Sequence, residues 1–155
     1  MSSPANDEDR RPERQLRDQE ARDTITRDLD RNIMVLAGAG AGKTHALIER
    51  MVASIREAVC DVDRMAAITF TRKAAGEMRG RFFLRLRKEA RSAGTEDEVA
   101  RIRSALTDID QCFIGTIHSF CGRLLRERPI EAGLAPDFTE IDDRDEAALR
   151  RAVWD

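Results

Sequence analysis

Residues 37–44 read AGAGAGKT, three glycines spaced by alanines and closed by a lysine and a threonine. Backbone N–H groups wrap a chain of phosphates only where side chains are small and the backbone can visit positive φ. Gly38, Gly40 and Gly42 supply that freedom, and Ala37, Ala39 and Ala41 keep the loop slim. Ala37 stands where this pattern usually opens with glycine, a small difference in bulk. Lys43 then opens a helix and can set its ammonium between β- and γ-phosphates, while the Thr44 hydroxyl suits Mg²⁺ and His45 completes the binding stretch. The helix start adds its positive dipole. ATP and Mg²⁺ are the expected ligands, with Lys43 and Thr44 in the catalytic role and Thr44 as the metal ligand. A turn of small residues that merely joined a strand to a helix would not call for the lysine and threonine.

Two further segments carry chemistry. In ITFTRKAAGEMRGRF, residues 68–82, Phe70 offers a stacking face and Thr69 and Thr71 offer hydroxyls to phosphates. From Arg72 to Arg91 there are eight Lys or Arg against two Glu, a basic run suited to a nucleic-acid backbone. The plainer alternative makes Phe70 core and the basic residues a wet helix face. In GTIHSFCGRLL, residues 115–125, Thr116, His118 and Ser119 follow an apolar run, with helix capping as the alternative.

The elements that must hold these residues follow from periodicity. A buried strand is expected over residues 32–37, then a helix over 43–56 with Leu47, Ile48, Met51, Val52 and Ile55 on one face. A second strand is expected over 65–70, followed by a helix with Ala75, Met78, Phe82 and Leu86 inward. After a break at 93–95, a helix over 96–106 carries Val99, Ile102 and Leu106 and forms a helical hairpin with its predecessor. A third strand over 112–116 leads into a helix over 117–126, with Ile117, Phe120, Cys121, Leu124 and Leu125 inward. Pro129, Gly133 and Pro136 mark a loop before a last helix over 143–154. Residues 7–31 read as a solvated helix around Leu16, Ile25 and Leu29, behind a disordered tail. Alternating strands and helices imply an α/β fold with a parallel sheet.

Composition limits the classes. The chain has 155 residues, 36% of them charged, and a net charge of −2, which suits one domain or part of one with a modest core. That charge argues against a wholesale basic nucleic-acid binder but hides the local basic run. No eighteen-residue apolar window and no leader pattern is present, so a soluble cytoplasmic protein away from the membrane is expected. Cys60, Cys112 and Cys121 are not at metal-ligand spacing, and only His45 and His118 could assist them. Reduced thiols packed as small hydrophobes are expected.

Taken in order, AGAGAGKT, TFTRKAAGEMR and GTIHSF resemble the N-terminal part of superfamily 1 DNA helicases of the UvrD/Rep group. The RecB and AddA branch is the nearest, since TIHSFCGRLLRE is followed by an AGL-P-F stretch at 132–138 and an acidic segment. The resemblance covers residues 19–155. It implies a RecA-like P-loop NTPase domain, with a parallel sheet and helices on both faces, over residues 13–128. Residues 1–12 would be the tail and 129–155 the start of a helical insertion. It also implies that Gln19 reads the adenine edge and that Thr69, Phe70, Thr71, Arg72, Thr116 and His118 line a single-strand channel.

Hydrolysis further needs a carboxylate pair on Mg²⁺ and stabilising arginines. The nearest acids, Glu140, Asp142 and Asp143, equally suit helix capping. The chain is therefore expected to be an incomplete, ATP-binding piece of an ATP-dependent DNA helicase. Single-stranded DNA and either a second RecA-like domain or a helicase–nuclease partner chain are the implied partners. Two alternatives stay open: a truncated module or remnant that binds nucleotide or single strands without turnover, and an unrelated small-molecule kinase sharing the loop.

Overall fold

A pair of short parallel strands organises the chain in the computed structural model, which describes residues 18–92, 94–139, 150, 151 and 153. The strands β1 (Ala66–Thr69) and β2 (Phe113–Thr116) pair with Ala66 opposite Phe113 and Thr69 opposite Thr116. Parallel neighbours need a long connection. Here it is the hairpin of α3 (Arg72–Ser92) and α4 (Glu96–Thr107). Thr95 starts α4 as a capping box, its hydroxyl accepting from the Glu98 N–H while the Glu98 carboxylate accepts from the Thr95 N–H. Ahead of β1 lie α1 (Gln19–Arg27) and α2 (Lys43–Arg56), and α5 (Ile117–Glu127) leaves β2 directly.

The core forms where the apolar stripes of these helices meet one face of the sheet. Ile48, Met51, Val52 and Ile55 from α2 join Met78, Phe82 and Leu86 from α3, Ile102 and Ala105 from α4, and Ala67 and Ile114 from the strands. Val52, Phe82, Leu86 and Ile102 are fully enclosed. Such side chains each stabilise a fold by about 1.5–3 kcal/mol. Successive strand residues face opposite ways. Phe113 accordingly turns to the other face and packs on Phe120 of α5, ring centres 5.1 Å apart. Helices thus cover both faces of the small sheet.

One carboxylate enters this interior. Glu89 is 7% exposed and lies between Arg56 at 3.0 Å and Arg85 at 2.5 Å. Burial pushes its carboxyl up, but the hydrogen bonds from Arg85 and Arg56 outweigh that and hold it below its usual value. Arg85 also reaches Glu49 at 2.7 Å, so the ionic chain stitches α3 to α2.

Three expectations are corrected. Residues 32–37 do not form a strand: among the described residues the run has no ladder partner, and Met34 and Leu36 are 84% and 86% exposed. An apolar run becomes a buried strand only when neighbours pair its edges and cover its faces. The inner face expected of α5 is also largely open, with Ile117, Cys121, Leu124 and Leu125 exposed and only Gly122 buried. Two strands spaced by about 4.8 Å are too narrow to cover that face. Among the cysteines, Cys112 is buried and its thiol is pushed up to about 11 by burial, whereas Cys60 is half-buried and Cys121 exposed.

The solvated helix expected over 7–31 is realised as α1 from Gln19 onward, with Ile25 buried. The tail, Leu16, Glu140, Asp142 and Asp143 lie outside the described residues, as does the last expected helix apart from Arg150, Arg151 and Val153, which are helical. No helix among the described residues is long and apolar enough to cross a membrane.

Candidate functional site

The loop between residue 37 and α2 takes the shape its glycines permit. Gly40 and Gly42 have φ of +75° and +85°, a left-handed region that an L side chain rarely enters. Gly42 is the residue from which α2 departs, and its carbonyl accepts the first helical bond from the Ala46 N–H at 2.9 Å. It has no side chain to cap the helix, and no acid occupies the first turn. The opening N–H groups and the positive end of the helix dipole are therefore available to an anion. A Cβ built at Gly38 or Gly40 meets nothing within 4 Å, so the loop is open there.

Lys43 folds back across this loop. Its ammonium donates to the carbonyls of Ala37 at 2.8 Å and Gly38 at 2.7 Å, tying the end of the loop to its beginning. Ala37, Ala39 and Ala41 are exposed along it. Thr44 is half-buried in the first turn, and His45 beside it is exposed, with Nδ1 3.9 Å from Glu49.

α1 lies alongside. Gln19, Arg22, Asp23 and Thr26 share a cleft of about 290 Å³ with His45, Ala46 and Glu49. Gln19 therefore stands next to the helix that the glycine loop opens, with its amide donating to Asp23 at 2.8 Å. The arrangement is locked by Arg50 of α2. Its guanidinium donates to the carbonyls of Ile25, Asp28, Leu29 and Arg31 at 2.7 to 3.3 Å, satisfying the end of α1 and the turn after it. Arg50 escaped the sequence reading, although it sits two helical turns after Lys43.

The second and third segments meet at the carboxyl ends of the strands, where open α/β sheets present ligands. Arg72, Gly76, Arg79, Thr116, His118 and Ser119 are among the residues lining one cleft of about 490 Å³. The structure thus brings Arg72, Thr116 and His118 together. Arg79 was missed; the spacing 72, 76, 79 along one helical face was the signal that could have found it. Its guanidinium donates to the Ile114 carbonyl at 3.0 Å and fastens α3 to β2 beneath the cleft.

Phe70 is 91% exposed at the tip of β1, so its ring is not core. Thr69 ends β1 and pairs with Thr116. Thr71 and Thr116 both cap helices: the Thr71 hydroxyl accepts from the Ala74 N–H at 3.1 Å, and the Thr116 hydroxyl from the Ser119 N–H at 3.2 Å. The Thr71 hydroxyl still has a second lone pair and a proton to offer, whereas the Thr116 hydroxyl also lies 3.0 Å from the Ser119 hydroxyl, which itself donates to the Thr116 carbonyl.

Known proteins are similar to this chain. The sequence profile of the UvrD/REP helicase N-terminal domain matches residues 17–154. The chain is similar to an ATP-dependent helicase/nuclease subunit of Ligilactobacillus salivarius, 36% identical over 129 residues, which is 83% of this chain and 10% of that protein. It is 40% identical over 124 residues to the protein of the same name in Heliobacterium modesticaldum, covering 80% of this chain and 9% of that one. Exonuclease/helicase subunit RexA of Lactococcus lactis is 33% identical over 121 residues, covering 78% and 10%. The chain spans about a tenth of the length of these curated relatives. With the profile matched along nearly its whole length, the chain belongs to the UvrD/Rep helicase family, in which it corresponds to the N-terminal domain.

Proposed function

We propose that this chain is the ATP-binding N-terminal portion of an ATP-dependent DNA helicase, in which ATP hydrolysis is coupled to movement along single-stranded DNA and to unwinding once the rest of the machine is present. The observation that carries the reading is the loop at 37–44. Two left-handed glycines, an uncapped helix start and a lysine crossing the loop make a cradle for a triphosphate. We assign residues 13–128 to a RecA-like domain and 129–155 to the start of a helical insertion. Family membership sets aside the small-molecule kinase. The cytoplasm is the setting that work on DNA of this kind requires.

Each residue has a task. Lys43 exchanges its two carbonyl partners for phosphate oxygens, a charge-assisted contact stronger than either neutral one. The residues from Ala37 to Gly42 wrap the phosphates with backbone N–H groups, and His45 borders them on the first turn of α2. Gln19, held against that turn, faces the adenine edge. Thr44 is the Mg²⁺ ligand; a single hydroxyl fits a metal that prefers oxygen and arrives with phosphate oxygens and water. Mg²⁺ would supply charge neutralisation at the phosphates. On the other side, Phe70 stacks a base, while Thr69, Thr71, Arg72, Thr116 and His118 hold the strand. The relatives are named as helicase/nuclease subunits, so further domains or a partner chain belong to the reading.

The first test is equilibrium binding of a fluorescent ATP analogue with Mg²⁺ to the parent and to Lys43→Ala. Binding in the parent that falls at least tenfold in the variant is expected, since one charge-assisted contact is worth about 1.5–3 kcal/mol. Equal binding in the two proteins would remove the loop from the account. ATP turnover that rises when single strands are added would further exclude a binding module without turnover.

A further inference from the structure

We propose that Arg22 of α1 is a positioning residue for the triphosphate, its guanidinium holding the loop at Ala41 and Gly42 in the conformation that turns the start of α2 toward phosphate. The inference rests on the ATP reading above and adds to it a residue that neither the loop motif nor the Gln19 assignment includes.

Three observations lead to it. Arg22 Nη2 donates to the Ala41 carbonyl at 2.9 Å, nineteen residues along the chain, and to the Asp18 carboxylate at 2.8 Å. A Cβ placed on Gly42 would lie 3.3 Å from Arg22 Nη1, so the guanidinium packs on the residue from which α2 departs. Among the described residues, Arg22 Nε is the one buried side-chain nitrogen or oxygen without a hydrogen-bond partner. Buried donors are nearly always satisfied, so an orphan on this guanidinium calls for a role beyond its own pairing.

The geometry explains why an arginine serves here. Gly42 at φ +85° has the widest choice of backbone conformations of any residue type, and the direction of the first N–H groups of α2 depends on which it takes. The Ala41 carbonyl belongs to the peptide unit that joins Ala41 to Gly42. A hydrogen bond to it fixes that peptide plane. Nη2 is shared between the Asp18 carboxylate and the Ala41 carbonyl, so Asp18 fixes the atom that grips the loop, and the rigid plane then settles where Nη1 lies. The anchor is itself firm, because Arg50 fastens the far end of α1 to α2 through four carbonyls. Arg22 thus closes a circuit running from the loop to α1 and back through Arg50 to the helix that the loop opens.

The distinction from Gln19 is experimental. Both residues border the same cleft, but a loop-positioning residue affects any ligand that uses the phosphate cradle, whereas a base contact affects only ligands with a base. Calorimetric titration of the 155-residue chain with Mg²⁺ and either ATP or tripolyphosphate separates the two. Arg22→Ala is expected to weaken ATP and tripolyphosphate by the same factor, about tenfold for one lost charge-assisted contact. Gln19→Ala is expected to weaken ATP alone. Arg22→Lys, which keeps the charge and reach but lacks the fork, should fall between parent and Arg22→Ala, as should Asp18→Asn, which loosens only the anchor.

Unchanged tripolyphosphate binding in Arg22→Ala overturns the inference, and so does a loss confined to ATP, which would make Arg22 a base contact. Equal losses in Arg22→Ala, Arg22→Lys and Asp18→Asn, each with a large drop in melting temperature, would reduce it to a structural prop and also overturn it. A parent chain that binds neither ligand overturns the ATP reading and the inference with it. A parent whose binding is abolished by Lys43→Ala but untouched by Arg22→Ala overturns the inference alone.

Discussion

Gly115 is held to its identity by space. A Cβ there would stand 2.7 Å from Phe113 Cζ and 2.8 Å from Ser119 Oγ, separations that real Cβ atoms essentially never show. Neither neighbour can retreat freely, since the Phe113 ring is packed on Phe120 and the Ser119 hydroxyl donates to the Thr116 carbonyl. Gly115→Ala is expected to cost about 1–3 kcal/mol, the usual range for forcing extra volume into a packed site. A thermal melt against the parent checks it, and an unchanged melting temperature would show that the ring moves aside. The residue itself was visible in the GTIHSF segment, but its constraint was not, because both obstructing side chains are placed by folding. Thr71 and Thr116 give the same lesson. A threonine after a strand reads equally as a phosphate ligand or a helix cap, and only the 3.1 and 3.2 Å contacts show that capping is present.

At the scale of elements, the end of α2 stores a small strain. Ala58, just past the helix, has φ of 56°, the position and conformation at which helices commonly place glycine. Its N–H donates to the Ile55 carbonyl and the Val59 N–H to the Ser54 carbonyl, so the turn is well bonded despite the residue type. Ala58→Gly is expected to raise stability by about 1 kcal/mol, the lower end of the cost of a left-handed L residue. Urea unfolding should show a higher midpoint with an unchanged slope; a lower midpoint would mean that chain entropy outweighs the relieved strain. Helix α2 was legible to both ends because its stop and start are local, a glycine before Lys43 and a broken stripe after Arg56. The stripe of Ala75, Met78, Phe82 and Leu86 likewise turned out buried. The run at 32–37 was not legible, since a strand is defined by a neighbour's ladder, which no local pattern contains. α5 failed for the same reason, its stripe reading as buried while the two-stranded sheet covers little of it.

Across the whole molecule, the ionic chain through Glu89 makes stability depend on acidity. The folded state holds this carboxyl below its ordinary 4.5, so folding favours the ionised form. The stabilisation is complete above the unfolded value and drains away as the pH falls through the folded one. Glu89→Gln is expected to cost about 2 kcal/mol at neutral pH, less than the roughly 3–5 kcal/mol of a fully buried pair because its arginine partners are partly solvated. The gap between parent and variant should narrow below pH 4.5. A gap that stays constant through that range, measured by chemical unfolding, would assign the loss to packing. Arg85, in the middle of this chain, also has a mechanical consequence. It fastens α3 to Glu49, two turns from the glycine loop, while Arg72 at the start of the same helix lines the strand cleft. Thirteen residues at 1.5 Å apiece set the two points roughly 20 Å apart on one rod. A swing of about ten degrees around Arg85 would therefore carry Arg72 through roughly 3 Å, close to the reach of one hydrogen bond. The ion pair on Glu49 thus gives α3 a fixed point beside the glycine loop, about which a small tilt re-aims the strand cleft.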